Sequence, residues 1–263
     1  MLAGKRILVT GVLTNESIAW STAAMAQELG AEVILTSFGR ARRITERASR
    51  MLPTEAEVLE LDVRESDHFP ALASELEDRW GTVDGVLHAI AYAPPEAFGK
   101  DWLAAEWSAV AEAIRISAFS FSELTRALAP LLEREEGTSA LVTLAVEPDH
   151  WRPQYGWMGP SKAMLISLTR YLATSFGDRG IRANVVACGP IETVGAQGVP
   201  TFEKSAEVYD SLTALGWDPT DAGLVAGPIC FLLSDYARGI TGAVLDVDAG
   251  FPQFEPLVAS PAQ

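Results

Sequence analysis

Residues 5–36 read KRILVTGVLTNESIAWSTAAMAQELGAEVILT, and this stretch decides the fold. Lys5–Thr10 sets I-L-V between a charged start and Gly11, which predicts a strand. Ser17–Leu29 places Ile18, Ala23, Ala26 and Leu29 on one face and stops at Gly30, which predicts a helix. Glu32–Thr36 is a second short apolar strand. Strand, glycine, polar loop, helix and strand make the βαβ unit that holds a dinucleotide. The usual G-x-G-x-x-G is absent, because V-L-T-N-E-S-I-A follows Gly11. Gly11 lets the backbone approach a pyrophosphate, and Ser17 can donate to a phosphate at the helix start. A plain tight turn with Ser17 as N-cap accounts for the same letters.

The alternation continues outward. After the second strand comes S-F-G-R-A-R-R, with no carboxylate to grip the adenosine ribose. Phe38 offers a face to adenine, while Arg40, Arg42 and Arg43 could meet a 2′-phosphate or simply be solvated. Further strands are expected at Val58–Leu61, Val83–Ala89, Thr138–Leu144, Ile181–Ala187 and Ala243–Val247. Asp62 and Val63 end the third, where an adenine ring could lie, and I-A-Y-A-P-P follows the fourth. Helices are expected at Phe69–Trp80, over most of Asp101–Glu133 with a possible break, and at Asp221–Ser234. The long one has more apolar positions than one sheet-facing stripe needs, so a subunit contact is plausible there. Thr201–Gly216 could form a helical lid. Helices alternating with apolar strands give an α/β fold: a single-domain, doubly wound parallel sheet of Rossmann type, with its ligand beyond the carboxyl ends of the strands.

A chain of 263 residues with 48% apolar content can bury one large core. The formal net charge of −15 disfavours nucleic acid and anionic membrane as partners. Cys188 and Cys230 sit in apolar surroundings, and His68, His88 and His150 have no ligand-like spacing, so no metal is expected. No apolar run is long enough to span a membrane, and a cytoplasmic setting is expected.

The chemistry concentrates at Pro153–Lys162, P-Q-Y-G-W-M-G-P-S-K. Pro160 suits a first helical turn, so a helix should begin near Gly159 and run through Leu165, Ile166, Leu168 and Leu172. Lys162 then lies about one turn inside, and Tyr155 comes off the loop before it. A phenol can stabilise a developing oxyanion, and a fixed ammonium can hold cofactor hydroxyls. A packed tyrosine and a snorkelling lysine are the bland alternative.

Together these residues resemble the short-chain dehydrogenase/reductase superfamily, and within it the enoyl-acyl-carrier-protein reductases of the actinobacterial, mycolic-acid type. The resemblance runs from G-K-R-I-L-V-T-G at 4–11 to the last strand, through S-I-A at 17–19, L-E-L-D-V at 59–63, P-Q-Y-x-W-M-G-P-x-K at 153–162, G-P-I-x-T at 189–193 and L-L-S-D at 232–235. Most of the superfamily places tyrosine four residues before lysine. Here Met158 holds that place and Tyr155 stands seven before Lys162, the spacing of enoyl reductases.

The resemblance implies NADH as cofactor, with NADPH possible, an acyl-carrier-protein or coenzyme A thioester as substrate, and a homotetramer. Tyr155 would bond the thioester carbonyl and Lys162 the nicotinamide ribose. Gly11, Ser17 and Ile18 would line the pyrophosphate and nicotinamide side; Phe38, Asp62 and Val63 the adenosine. Ile90 would lie beside the cofactor, Ile191 and Thr193 would brace the carboxamide and pyrophosphate, and Met158 would face the acyl chain under a lid around residues 192–216. Three places depart from the family pattern. Val146 stands where an aromatic is usual, on the approach to nicotinamide and substrate; H-A-I-A-Y replaces H-S-I-G-F at 88–92; and D-A-G replaces D-G-G at 248–250. A reductase of specialised metabolism acting on another carbonyl-conjugated substrate, or a non-catalytic Rossmann protein, are the competing readings.

Overall fold

The computed structural model describes residues 1–146, 154–199 and 202–251. Its centre is a parallel sheet of seven strands in the order β3-β2-β1-β4-β5-β6-β7. These are β1 (Arg6–Val9), β2 (Glu32–Ser37), β3 (Glu57–Glu60), β4 (Gly85–His88), β5 (Ser139–Ala145), β6 (Ile181–Cys188) and β7 (Val244–Val247). Strand order reverses between β1 and β4, which pair Ile7 with Gly85 and Val9 with Leu87. That reversal opens a crevice beyond their carboxyl ends.

Helices cover both faces, so the inner strands are apolar on both sides. Ile7 and Val9 of β1 point into one core cluster, and Leu8 between them points into the other. The first cluster is closed by α1 (Ile18–Glu28) and α9 (Gly223–Leu233), the second by α3 (His68–Trp80), α5 (Ser120–Leu132) and α6 (Met158–Phe176). The remaining helices are α2 (Arg42–Ser49), α4 (Trp107–Ile114), α7 (Val194–Gln197) and α8 (Phe202–Leu212).

Two expectations are refined. The helix carrying Lys162 starts at Met158, with Pro160 in its first turn, where a missing N–H costs nothing. The helix expected over Asp101–Glu133 opens with a 3₁₀ turn, Trp102–Ala104, and only then becomes α4. Its break is a π-helical turn, Arg115–Phe119, joining α4 to α5. Side-chain bonds hold that turn: the Ser120 hydroxyl donates to the Ile116 carbonyl at 2.7 Å. Ser117 Oγ accepts from the Tyr92 N–H at 3.0 Å and donates to the Tyr92 carbonyl at 2.8 Å. π-Bulges of this kind are frequent at functional sites.

Candidate active site

The sequence-derived cofactor residues other than Lys162 lie just beyond the carboxyl end of a strand or at the start of the helix that follows. Gly11 follows β1, Phe38 β2, Asp62 and Val63 β3, Ile90 β4, and Ile191 with Thr193 β6. Gly11 has φ +83°, and a Cβ built there would stand 2.1 Å from the Ala89 carbonyl oxygen. The glycine is therefore required first by the approach of the β4 exit, whatever it does for a ligand. Ser17 caps α1: its Oγ accepts from the Trp20 N–H at 3.2 Å and donates to the Thr14 carbonyl at 2.8 Å. With that hydroxyl and the Trp20 N–H committed to each other, the anion-binding capacity of this turn rests on the N–H groups of Ile18 and Ala19.

After β2, at the end expected to take adenosine, Phe38 is 39% exposed. The Arg64 guanidinium lies 5.3 Å from its ring centroid and grips Asp62 through two bonds, of 3.0 and 2.7 Å. That pairing holds the Asp62 carboxyl below its ordinary range, chiefly through the Arg64 hydrogen bond against the cost of burial. Of the three arginines after β2, Arg42 is spent on Glu46, Glu60 and the Val58 carbonyl. Arg40 and Arg43 are exposed and have no ion pair among the described residues.

On the other wall, Lys162 is the fifth residue of α6 and only 7% exposed. Its ammonium donates to the Leu144 carbonyl on β5 at 2.8 Å, the one hydrogen bond it makes among the described residues. Burial pushes its pKa down to about 8, with a partial offset from Cys188. Among the described residues this leaves two N–H donors of a desolvated cation without an acceptor, which fits paired hydroxyls such as those of a ribose. Behind it, His88 is fully buried. Its Nε2 lies 2.9 Å from Ser120 Oγ and its Nδ1 3.0 Å from Thr143 Oγ1. Because Ser120 gives its proton to the Ile116 carbonyl, Nε2 donates to Ser120 Oγ, while the Thr143 hydroxyl is shared between Nδ1 and the His88 carbonyl, which lies 3.0 Å from it. Burial, and then the Lys162 charge, push its pKa down to about 3, so His88 is a neutral strut between β4, β5 and α5.

Tyr155 and Met158 belong to a small cluster apart from the main core, with Ala93, Ala97, Phe98, Ala113 and Trp157. The Tyr155 and Phe98 rings are 6.4 Å apart. Val146 is half-buried at the end of β5. Thr193 caps α7, its Oγ1 accepting from the Ala196 N–H at 3.1 Å, and Ile191 is buried in the first core cluster.

A model for the family described as Enoyl-(Acyl carrier protein) reductase matches residues 11–252. The chain belongs to that family. It is 36% identical over 264 residues to an enoyl-acyl-carrier-protein reductase (NADH) of Mycolicibacterium smegmatis, covering 95% of this chain and 97% of the relative. The enzyme of the same name from Mycobacterium avium is 35% identical over 263 residues, with the same coverage of both chains. That of Haemophilus influenzae is 37% identical over 253 residues, covering 95% of each.

Among enoyl reductases of this kind, the departures noted in sequence acquire physical content here. Ala249, where the family pattern has glycine, adopts φ 55°, a left-handed conformation that disfavours a side chain. Its carbonyl accepts the N–H groups of Ala214 and Leu215 at 3.0 and 3.1 Å, which fixes the strained residue in place. Ala89 presents its carbonyl to Gly11, so the close approach made at that residue is backbone to backbone. Sequence reasoning missed the Leu144 carbonyl, the His88 network, Arg64 and the partners of Trp157. Apart from the local Arg64–Asp62 pair, these join residues well separated in the chain, which leaves no periodicity or spacing signal.

Proposed function

We propose that this chain reduces the 2,3 double bond of an enoyl thioester, carried by acyl carrier protein or coenzyme A, with NADH. The observation that carries the reading is the buried Lys162 ammonium, seven residues after Tyr155 in the second turn of α6, with a single hydrogen bond among the described residues. NADH, when bound, supplies the hydride that adds to the β-carbon. Tyr155 donates its hydroxyl to the thioester oxygen as negative charge builds there, an interaction strongest in the transition state. Lys162 donates to the nicotinamide ribose, and its charge adds positive potential beside the forming enolate. The first turn of α1 receives the pyrophosphate, Phe38, Asp62 and Val63 flank the adenosine, and Ile90, Ile191 and Thr193 border the nicotinamide. The exposed face of Phe38 and the names of the relatives support NADH over NADPH; at least tenfold tighter binding of NADPH would reverse that choice.

Segment 192–216 is proposed as the cover of the acyl chain over Met158 and Val146. Support comes from its anchoring: Tyr209 of α8 stacks on Phe251 at 4.3 Å, and the Trp217 indole N–H donates to the Pro190 carbonyl at 2.7 Å. A homotetramer is supported by the apolar outer face of α4 and the π turn. Trp107 is 73% and Phe119 48% exposed there, beside a buried Glu123 Oε2 that has no hydrogen-bond partner among the described residues. No described helix is long and apolar enough to cross a membrane, which accords with a cytoplasmic enzyme.

Steady-state rates on a trans-2-enoyl thioester, with NADH titration of each variant, test the assignment. Tyr155→Phe should lower kcat about a hundredfold with NADH affinity unchanged, whereas Lys162→Ala should weaken NADH binding as well. Unchanged turnover in Tyr155→Phe would sink the mechanism.

A further inference from the structure

We propose that Trp157 is a positioning residue for Tyr155, acting through two bonds to the 94–104 segment; the claim rests on the reading of Tyr155 given above. Tyr155 sits between two left-handed residues, Gln154 at φ 69° and Gly156 at φ 50°. A non-glycine residue with φ near 70° is held against its own preference, at a cost of order 1 kcal/mol, and persists only where neighbours over-determine it.

The neighbours are a separate stretch of chain. The Gly99 N–H donates to the Gln154 carbonyl at 3.0 Å, and the Trp157 N–H donates to the Ala97 carbonyl at 2.8 Å. The Trp157 indole N–H donates to the Trp102 carbonyl at 3.0 Å, and the two indoles meet edge to face at 5.3 Å. A Cβ at Gly156 would come within 2.0 Å of that same Ala97 carbonyl oxygen. Both ends of the Tyr155 turn are thus fastened to residues 97–102. That segment is tied in turn, through Tyr92, to Ser117 in the π turn.

Trp157 differs from an ordinary core tryptophan. It is only half-buried, and it packs on the satellite cluster of Tyr155, Phe98 and Met158 instead of on either main core. Its indole N–H fixes the ring against one backbone carbonyl, and its main chain fixes the turn against another. Rotating either contact turns the residues immediately before it, which include the phenol. Proper placement of a reacting group within about 1 Å can be worth up to a hundredfold in rate. The Trp157 side chain therefore sets where the Tyr155 hydroxyl meets the substrate oxygen, without touching substrate itself.

The test is a double-mutant cycle on the full-length protein. Trp157→Phe keeps an aromatic ring and removes the indole donor together with part of the ring surface packed on Trp102. It should lower kcat on a trans-2-enoyl thioester about tenfold, with NADH dissociation constant and melting temperature little changed. In a Tyr155→Phe background the same substitution should change kcat less than about twofold, because the group it positions is gone. A loss of equal size in both backgrounds, or no loss in the parent, would overturn the positioning role alone. A silent Tyr155→Phe would instead overturn the reading of Tyr155, and the positioning role with it.

Discussion

The two walls of the crevice rest on different foundations. The proposed cofactor wall grows out of the sheet: Val9, Val12 and Ile191 belong to the first core cluster and Val63 to the second, both continuous with the interior. The wall carrying Tyr155 stands on the satellite cluster of Ala93, Ala97, Ala113 and Met158, fastened by a few hydrogen bonds between loops. The same local geometry should therefore have different consequences on the two sides. Damage to the first wall spreads into global stability, whereas damage to the second stays local and appears in turnover.

Gly11 and Gly156 give the sharpest comparison and the largest effects. An added Cβ meets a backbone carbonyl oxygen at 2.1 Å in one case and 2.0 Å in the other, and both residues have positive φ. Gly11→Ala should cost about 3 kcal/mol or more of global stability and weaken NADH binding, since β1 and the β4 exit cannot part without disturbing the core. Gly156→Ala should lower kcat by up to about a hundredfold, with a stability change of about 1 kcal/mol or less. Urea titration and steady-state kinetics on both variants check this. Equal losses of stability would erase the distinction between the walls.

His88 lies between the walls and tests their connection. Its pKa in the folded protein is pushed down to about 3, against an ordinary value of 6.5. In the window between these values the unfolded chain takes up a proton that the folded chain refuses. Stability contributed by this site is thus present above the ordinary value and lost as pH falls toward about 3. Between pH 7 and 5 the loss should be about 2 kcal/mol, and a His88→Asn variant should show a correspondingly flatter profile. Urea midpoints for the two proteins across that range check it; parallel profiles would mean that the ring already titrates in the folded state.

The smallest expected effect concerns Arg64, on the rim of the cofactor wall. Its pairing with Asp62 is partly exposed, so Arg64→Gln should change stability by less than about 1 kcal/mol. The substitution uncovers the Phe38 ring, and NADH should bind about two- to fivefold tighter by titration calorimetry, the scale of an exposed cation–π contact. Weaker binding would show that the guanidinium supports the adenosine end instead of covering it.

The cofactor wall was the legible one. The run I-L-V before Gly11, the helix from Ser17 and the apolar strand after Gly30 follow from local periodicity, and the parallel sheet follows from repeating that unit. Tyr155 and Lys162 were legible as a pair because their spacing matches a family pattern. The letters could not show that Lys162 is buried, that its ammonium donates to the Leu144 carbonyl, or that its neighbour His88 is kept neutral.

The chain by itself thus determined the order and type of the elements, since side-chain periodicity and glycine placement act within a few residues. It also named the strand ends at which the cofactor residues are proposed. Only the tertiary structure decided the π turn at Arg115–Phe119, the left-handed turn around Tyr155 and the fastening of Trp157 to Ala97 and Trp102. Those conformations are unfavourable or indifferent locally. They are stabilised by hydrogen bonds and close contacts between residues distant in sequence, which exist only once the sheet has brought them together.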